Sequence, residues 1–387
     1  MSAPDILVIG AGITGAAAAL ELVQAGAKVE IVERYGAAAM ASGWTLAGVR
    51  QSARDPAELP LALEAVRLWP ELAYRLGAEI GYRQHGNLRL ARNTAEIDTL
   101  RALVDSQTAA GLDLTLLTDI TDVLEIAPAL SPMVMAASWC PTDGHADPVA
   151  TVNAYLDKAV RLGARLSTGE TILALLTEGN RVTGVKTDRR TISAGAVMAA
   201  PGILVNALIE PLGQSIPLRH PIVAVLRTTV QPPLLKPVLG VANADMAARQ
   251  EISGRLRVTS GAQVWTGSIE LVDGKPVVRP QMRRVMETIG RISTVLPAFA
   301  KSEIESVWGG ILDLTPDALP VIDRVPGFEN LIVAAGFSGH GFGIGPVTGP
   351  LAADLALGRS PRLALDAFRF DRFANFAGRE APLTLHG

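Results

Sequence analysis

Two glycine-rich stretches near opposite ends of a 387-residue chain are the places where backbone could lie against a large ligand. The first reads Gly10-Ala11-Gly12-Ile13-Thr14-Gly15, and Glu33 follows 18 residues beyond its last glycine. The first glycine permits a tight turn, the second lets main chain approach a pyrophosphate, and the third lets helix pack on strand. The N–H groups of the following helix start then face the phosphates, and Glu33 is placed to accept from ribose hydroxyls. This spacing indicates a dinucleotide and leaves FAD and NAD both open. The second stretch, GFSGHGFGIGP from Gly336 to Pro346, surrounds one ionisable side chain, His340, with five glycines. Glycine in that quantity signals unusual backbone angles or a bulky group against the main chain.

The elements that must hold these stretches follow from period and punctuation. Ile6–Ile9 is a short apolar strand, AAAALELVQAG a helix closed by Gly26, and KVEIVER a strand ending at Glu33, together the start of a βαβ unit. The run YGAAAMASGWTLAGVRQSARDP has no period and reads as a long loop. Pro56–Leu76 and Thr94–Ala110 are helical in pattern, and YRQHGNLRLA reads as a hairpin strand. Asp147 is an N-cap with Pro148 in the first turn of a helix ending at Gly163. A strand-turn-strand follows with Gly179-Asn180 at the turn, then an apolar strand in TISAGAVMAAPG that ends in Pro-Gly. Residues 218–312 alternate strand-like runs with one helix near Pro280–Leu296. NLIVAAG is a last buried strand, and PVTGPLAADLALG a short helix with Pro346 near its start and Gly358 just past its end.

Composition narrows the class. Hydrophobic residues make up 49% and charged residues 19%, enough for a large globular core. A net charge of −3 argues against nucleic acid, which calls for a basic face. The single cysteine, Cys140, excludes an internal disulfide, fits a reducing compartment, and reads as inert core. The apolar N-terminus lacks a basic leader and is broken by Gly10, Gly12 and Gly15, so strand-turn-helix reads better than a secretory signal. No later run has the length of a membrane span, and the expectation is a soluble, cytoplasmic protein.

TPDALPVIDRVPGFENLIVAAGFSGHGFGIGPVTG resembles the C-terminal signature of the D-amino-acid oxidase superfamily of flavin-dependent amine and amino-acid oxidoreductases. MASGWTLAGVR, DGHADPVATVNAYLDKAVRLGARL and AGAVMAAPG extend the resemblance over essentially the whole chain. WGGILDLTPDALPVI is similar to beta subunits of heteromeric sarcosine oxidase and of related proline, hydroxyproline and opine dehydrogenases. The resemblance implies an α/β fold, with a Rossmann-like FAD-binding domain (1–80, 141–217 and 313–387) interleaved with an antiparallel-sheet substrate domain of α+β type (81–140 and 218–312).

It also implies non-covalent FAD. The implied cofactor set is Gly10, Ala11, Gly12, Ile13, Thr14, Gly15, Glu33, Arg34, Ser42, Gly43, Ile172, Ala200, Gly202, Gly310, Gly339, His340, Gly341, Phe342 and Gly343. Ser42 and Gly43 would lie near the pyrophosphate and the Ile172 backbone near the adenine. The helix after the glycine stretch would aim its N-terminus at the flavin N1/O2 side, where reduced flavin carries negative charge. Glycines 339, 341, 343 and 345 would clear a flat ring.

The implied reaction is oxidation of a C–N bond in an N-substituted or cyclic amino acid (sarcosine, proline, hydroxyproline or opine type), as the catalytic subunit beside an alpha-type partner. Arg50 is the first candidate to grip a substrate carboxylate, since guanidinium does so bidentately; a surface or pyrophosphate-side arginine is the other reading. His340 either polarises flavin or substrate, or is a packed histidine touching the cofactor. Trp44 either shapes the cavity or belongs to the core, and His145 reads as a loop residue.

The chain departs from its relatives at several grips. The cysteine that carries flavin in monomeric sarcosine oxidases falls on Gly310 and their carboxylate-binding lysine on Gly343, while the glycine oxidase arginine falls near Leu312. The lysine tied to oxygen activation aligns near Trp265. The histidine that carries FMN in heterotetrameric relatives falls on Ala146, so an FMN at a subunit interface would be held otherwise than by that attachment. Arg50, Arg54 and Arg257 remain as cationic grips. A self-sufficient oxidase using oxygen, and an FAD-binding subunit that only scaffolds a complex, are the competing readings.

Overall fold

The structure, a computed structural model, describes residues 3–374, so residues 375–387 of the expected cofactor-binding domain lie outside the described residues. The all-buried strand Ile6–Ile9 sits inside a six-stranded sheet ordered Val321–Arg324, Leu331–Ala335, Ala196–Ala199, Ile6–Ile9, Val29–Glu33, Arg165–Thr168. Its neighbours are parallel except Val321–Arg324, which returns antiparallel. Strands covered on both faces have no solvent side, which is why they read as unbroken apolar runs. Helices Ile13–Gln24, Leu59–Leu76, Pro148–Arg161 and Gly341–Ala356 cover one face. The other face carries a three-stranded antiparallel sheet and the short helix Val205–Ile209. Within the smaller sheet the hairpin of Ile172–Glu178 and Arg181–Thr187 turns at Gly179-Asn180. Asp147 caps its helix by accepting from the Ala150 N–H at 2.8 Å.

An eight-stranded sheet forms the second layer, in the order Ile304–Ile311, Ile222–Val230, Arg255–Ser260, Met246–Gln250, Val238–Val241, Asn87–Ala91, Ala136–Cys140, Thr115–Leu117. Leu256 and Val258 on one face pack with Ile292 and Val295 of the helix Met282–Val295. The alternate residues face the first layer. Among the described residues no helix is long and apolar enough to cross a membrane.

Three local readings need correction. The expected loop after Glu33 contains a short helix, Ala41–Trp44, and a two-residue strand, Gly48–Val49. Asn87–Ala91 is a strand without a hairpin: its partners are Ala136–Cys140 antiparallel and Val238–Val241 parallel. Such partners are set by tertiary register, which no local turn announces.

The last helix begins at Gly341, five residues ahead of Pro346, and encloses both Pro346 and Pro350. Packing explains why proline does not mark its start. A Cβ on Gly345 would stand 2.4 Å from Ile13 Cγ1, and one on Gly349 2.6 Å from Ala17 Cβ and 2.8 Å from the Thr14 carbonyl oxygen. The glycines thus let this helix lie directly on Ile13–Gln24, and burial of that interface outweighs the backbone hydrogen bonds the prolines forfeit. Gly349→Val should push the two helices apart at a cost of about 1–3 kcal/mol. A thermal unfolding midpoint at or above wild type would show that the contact is not tight.

Candidate functional site

A cavity of about 520 Å³ runs between the two layers. At one end lies the turn after Ile6–Ile9. Gly10 has φ +100°, and a Cβ there would stand 2.4 Å from the Ala200 carbonyl oxygen, so only glycine fits. Gly15 supports the helix from behind: its Cβ would meet the Gly10 carbonyl oxygen at 2.1 Å. The Glu33 carboxylate is fixed at the cavity edge by the N–H groups of Ala11 and Tyr35, each at 2.8 Å. Ser42 Oγ accepts from the Ile13 N–H at 3.0 Å, satisfying an amide at the helix start.

Most of the candidate cofactor residues line this one cavity: Gly10, Gly12, Ile13, Thr14, Glu33, Arg34, Ser42, Ile172, Ala200, Gly202, Gly310, Gly339, His340, Gly341, Phe342 and Gly343. Ala11, Gly15 and Gly43 do not line it and act from behind. Gly43 is needed because a Cβ there would stand 2.1 Å from the Ala38 carbonyl oxygen. Gly345 does not line it either and faces Ile13, so the four glycines expected to clear a ring divide between cavity and helix packing. Gly343 does both, for a Cβ there would come within 3.0 Å of the Gly48 carbonyl oxygen. Trp69, fully buried, donates from Nε1 to the Gly343 carbonyl at 2.7 Å and tilts against Phe342 at 5.3 Å, holding the helix start in place.

Charge concentrates at one region of the wall. Arg50 and Arg54 line the cavity, and Arg89 supports them from the strand Asn87–Ala91. Burial, then the neighbouring guanidiniums of Arg54 and Arg89, pull Arg50 well below the usual arginine range. Burial and Arg54 bring Arg89 down to about 10. The opposing charges are Asp143 and Glu58. Three guanidiniums against two carboxylates leave the cluster one positive charge in excess. Arg54 is 5% exposed, and its Nη1 is buried with no hydrogen-bond partner among the described residues. Its loop is held by Gln107, whose Oε1 accepts from the Ala53 N–H at 2.8 Å and whose Nε2 donates to the Arg54 carbonyl at 3.2 Å. Buried cations in excess of their counter-charges in a cavity wall make a site for an anion.

His340 caps the last helix, is 4% exposed, lines the cavity, and has Nδ1 2.8 Å from Glu58 Oε2. Burial pushes Glu58 up, and His340 and Arg54 outweigh it, holding the carboxyl below its ordinary range. Burial and Arg54 likewise hold His340 below its ordinary range, against Glu58, which favours its charged form. The glycine loop ahead of it is gathered by Asp313, which lines the cavity, is 7% exposed, and accepts the Gly336 N–H at 2.9 Å.

Three of the remaining candidates, Arg257, His145 and Cys140, lie apart. Arg257 is absent from the cavity wall; it pairs with Glu251 at 2.7 Å and donates to the Thr45 carbonyl at 2.7 Å. His145 belongs to a two-residue strand, Gly144–His145, and is no loop residue; burial and Arg249 pull it down to about 2. Cys140 is fully buried off the cavity, its thiol pushed up to about 12 by burial. Trp44 lines the cavity and accepts at its carbonyl from Trp308 Nε1 at 3.2 Å. Glu58, Asp313 and Thr259 also line or brace the site and were not singled out from sequence. Glu58 stands among loop prolines and acids in ARDPAELP. Thr259 carries one weak signal, a polar residue at an inward position of the alternating strand Arg255–Ser260.

Residues 5–355 match the protein family described as FAD dependent oxidoreductase. The sarcosine oxidase beta subunit of an Arthrobacter species is 26% identical over 353 residues, covering 87% of this chain and 83% of that protein. Glycine oxidase of Geobacillus kaustophilus is 28% identical over 97% of this chain and 99% of its own. The crystal structure of L-proline dehydrogenase from P. horikoshii superposes with a TM-score of 0.88 at 27% identity, over 96% of this chain and 98% of that one.

Proposed function

Because the chain belongs to the FAD dependent oxidoreductase family and is an FAD-dependent enzyme acting on amino acids, we propose that it oxidises the C–N bond of an N-substituted or cyclic amino acid to the imine, as the catalytic subunit of a heteromeric dehydrogenase. The observation that carries this reading is the arginine cluster: Arg50 and Arg54 stand together in the wall of a cavity whose other end is the glycine cradle, with more guanidiniums than carboxylates around them.

The residues present fit FAD. A Cβ would fill the cradle at Gly10, Glu33 is anchored at the ribose side, and Ile172, Ala200 and Gly202 continue the wall. Cys140, the sole cysteine, lies off the cavity, in keeping with a non-covalent cofactor. When bound, the flavin supplies the hydride acceptor for the α-carbon hydrogen. In this reading residues 1–80, 141–217 and 313–387 form the cofactor-binding domain, and 81–140 with 218–312 the substrate domain.

The chain's own residues do the rest. Arg50 and Arg54 take the substrate carboxylate, and the dry, positively charged wall lowers the amine pKa so that its lone pair is available. The start of the helix Gly341–Ala356 offers positive dipole to negative charge forming on the cofactor. Glu58 fixes the tautomer and orientation of His340.

Similarity to a subunit of sarcosine oxidase supports a partner as electron acceptor; similarity to a glycine oxidase over its whole length supports a second reading, direct reaction with oxygen. The test is anaerobic bleaching of the flavin band with N-methyl, cyclic and primary amino acids, followed by admission of air. Bleaching by secondary amines alone, with slow recovery in air, is the expected result. Rapid recovery with peroxide release would favour the oxidase, and no bleaching by any of them would sink the proposal.

A further inference from the structure

Strand alternation divides Val238–Val241 between the two faces of its sheet. Leu239 and Val241 pack with Ile292 on the face away from the cavity, so Val238 and Gly240 look into it, and both line it. Among the described glycines, Gly240 alone is buried and yet has no atom within 4 Å of where a Cβ would stand. Its backbone does not call for glycine either, since its φ lies outside the left-handed region. Gly10, Gly15 and Gly43 are each required by a neighbouring carbonyl oxygen. At Gly240 the missing side chain leaves room inside the cavity instead.

Register sets Gly240 between Arg89 on one strand and Ala247 on the other, with about 5 Å from each strand to the next. Arg89 backs Arg50 and Arg54, so the room adjoins the part of the wall that holds a carboxylate. Ala247 keeps part of its surface accessible, although Met246 and Ala248 on either side of it are buried. Val238, Ala244 and Met246, which line the cavity from the same two strands and their turn, are apolar as well. Cofactor candidates 10–14 and 339–343 belong to the opposite, six-stranded layer, which leaves this room on the substrate side. Among the described residues the guanidiniums lining the cavity are Arg34, beside Glu33, and Arg50 and Arg54. A second carboxylate over Gly240 would have to share the last two with the first, whereas an apolar group gains by leaving water there.

We propose that Gly240, with Ala247 beside it, is a specificity residue that admits a bulky apolar substituent of the amino acid whose carboxylate Arg50 and Arg54 hold. The substrate class is then an amino acid carrying a large aliphatic or aromatic group, on its nitrogen or on its α-carbon, beyond the methyl or small ring that would leave this room empty. This rests on the amino-acid reading above, and binding separates the two claims because it is measured without turnover.

The experiment titrates the oxygen-free holoprotein with N-methylglycine, N-benzylglycine and both enantiomers of N-methylphenylalanine, following perturbation of the flavin band. At least one benzyl-bearing ligand should bind wild type about tenfold or more tightly than N-methylglycine, the scale of burying a large apolar group. Preference for N-benzylglycine places that group on nitrogen, and preference for N-methylphenylalanine places it on the α-carbon; either supports the assignment. Gly240→Leu should cut the ratio of affinities by at least about tenfold, and Gly240→Ala, which adds a methyl alone, should fall between. Free of ligand, G240A should unfold at the same or a higher temperature, since alanine restricts the unfolded chain and its Cβ meets no neighbour. Absence of any benzyl preference in wild type, a ratio untouched in G240L, loss of flavin from G240L, or a lower unfolding temperature for G240A would each overturn the assignment. Binding that obeys these rules while no ligand bleaches the flavin supports the role of Gly240 and counts against the proposed reaction.

Discussion

Arg54→Met is expected to lower the second-order rate constant of flavin reduction by roughly 10²–10³-fold while leaving the protein folded and yellow. Arg54 lines the cavity beside Arg50, and a desolvated bidentate contact to a carboxylate is among the strongest single interactions available to a small substrate. Methionine keeps the length and packing of the stem. The fold should tolerate the change because Arg54 is also a burden on its neighbours: its charge depresses Arg50, Arg89 and His340 alike. Removing it leaves two guanidiniums against Glu58 and Asp143, a balanced set. The loss should appear chiefly as weaker binding, and an amine lacking the carboxylate should react equally slowly with both proteins. Stopped-flow reduction at several substrate concentrations reads this directly. If the variant saturates at wild-type concentrations with a wild-type limiting rate, Arg54 is not the carboxylate grip.

The second large effect is on stability and its pH dependence. Burial lifts the Asp313 carboxyl from 3.8 to about 6, even though backbone N–H groups of Gly336, Phe337 and Ser338 favour the ionised form. The folded chain therefore binds this proton more tightly than the unfolded chain does. Between about pH 4 and 6 the native state carries more protons, so this group's contribution to stability falls as pH rises through that window, by roughly 3 kcal/mol in all. Asp313→Asn removes the titration. The stability of D313N minus that of wild type should accordingly climb by about that amount from pH 4 to 7, in urea unfolding at each pH. Taking the difference cancels carboxylates such as Glu58, which is held low and acts with the opposite sign. A difference that stays flat or descends would refute the assignment. Asp313→Ala should do more harm, since it leaves loop amides without an acceptor in a buried place. That loop carries Phe337, Gly339 and His340 to the cavity, so flavin retention should fall with it.

What could be read from sequence was the part that backbone chemistry encodes locally. Gly10 is legible because a left-handed turn against Ala200 admits no side chain, and Gly15 because it meets the Gly10 carbonyl. Asp147 and the Gly179-Asn180 turn are local devices of the same kind. Fold class, family and cofactor followed from these together with the C-terminal signature. The groups that face a substrate were harder, because each owes its place to partners far along the chain. Arg54 depends on Gln107, Glu58 on His340, and Gly240 on a register that sets it between Arg89 and Ala247. The glycine at 345 was misassigned for a related reason: from sequence, clearance for a ring and clearance for another helix look alike.

The strand order of the six-stranded sheet bears on how the molecule is made. Ile6–Ile9 emerges before its partners, yet its neighbour on one side is Ala196–Ala199, and that strand in turn waits for Leu331–Ala335. The helix Ile13–Gln24 meets Pro148–Arg161 earlier, but the face that packs on Gly341–Ala356 stays uncovered until that helix arrives. Pairings this distant in sequence form slowly, and until they form the apolar surfaces of the opening βαβ unit stand open to wrong partners. The cofactor cradle is thus begun by Gly10–Gly15 and completed only once residues 331–356 have been made. A nascent chain must remain unaggregated while everything between residues 15 and 331 is synthesised before the nucleotide fold can close.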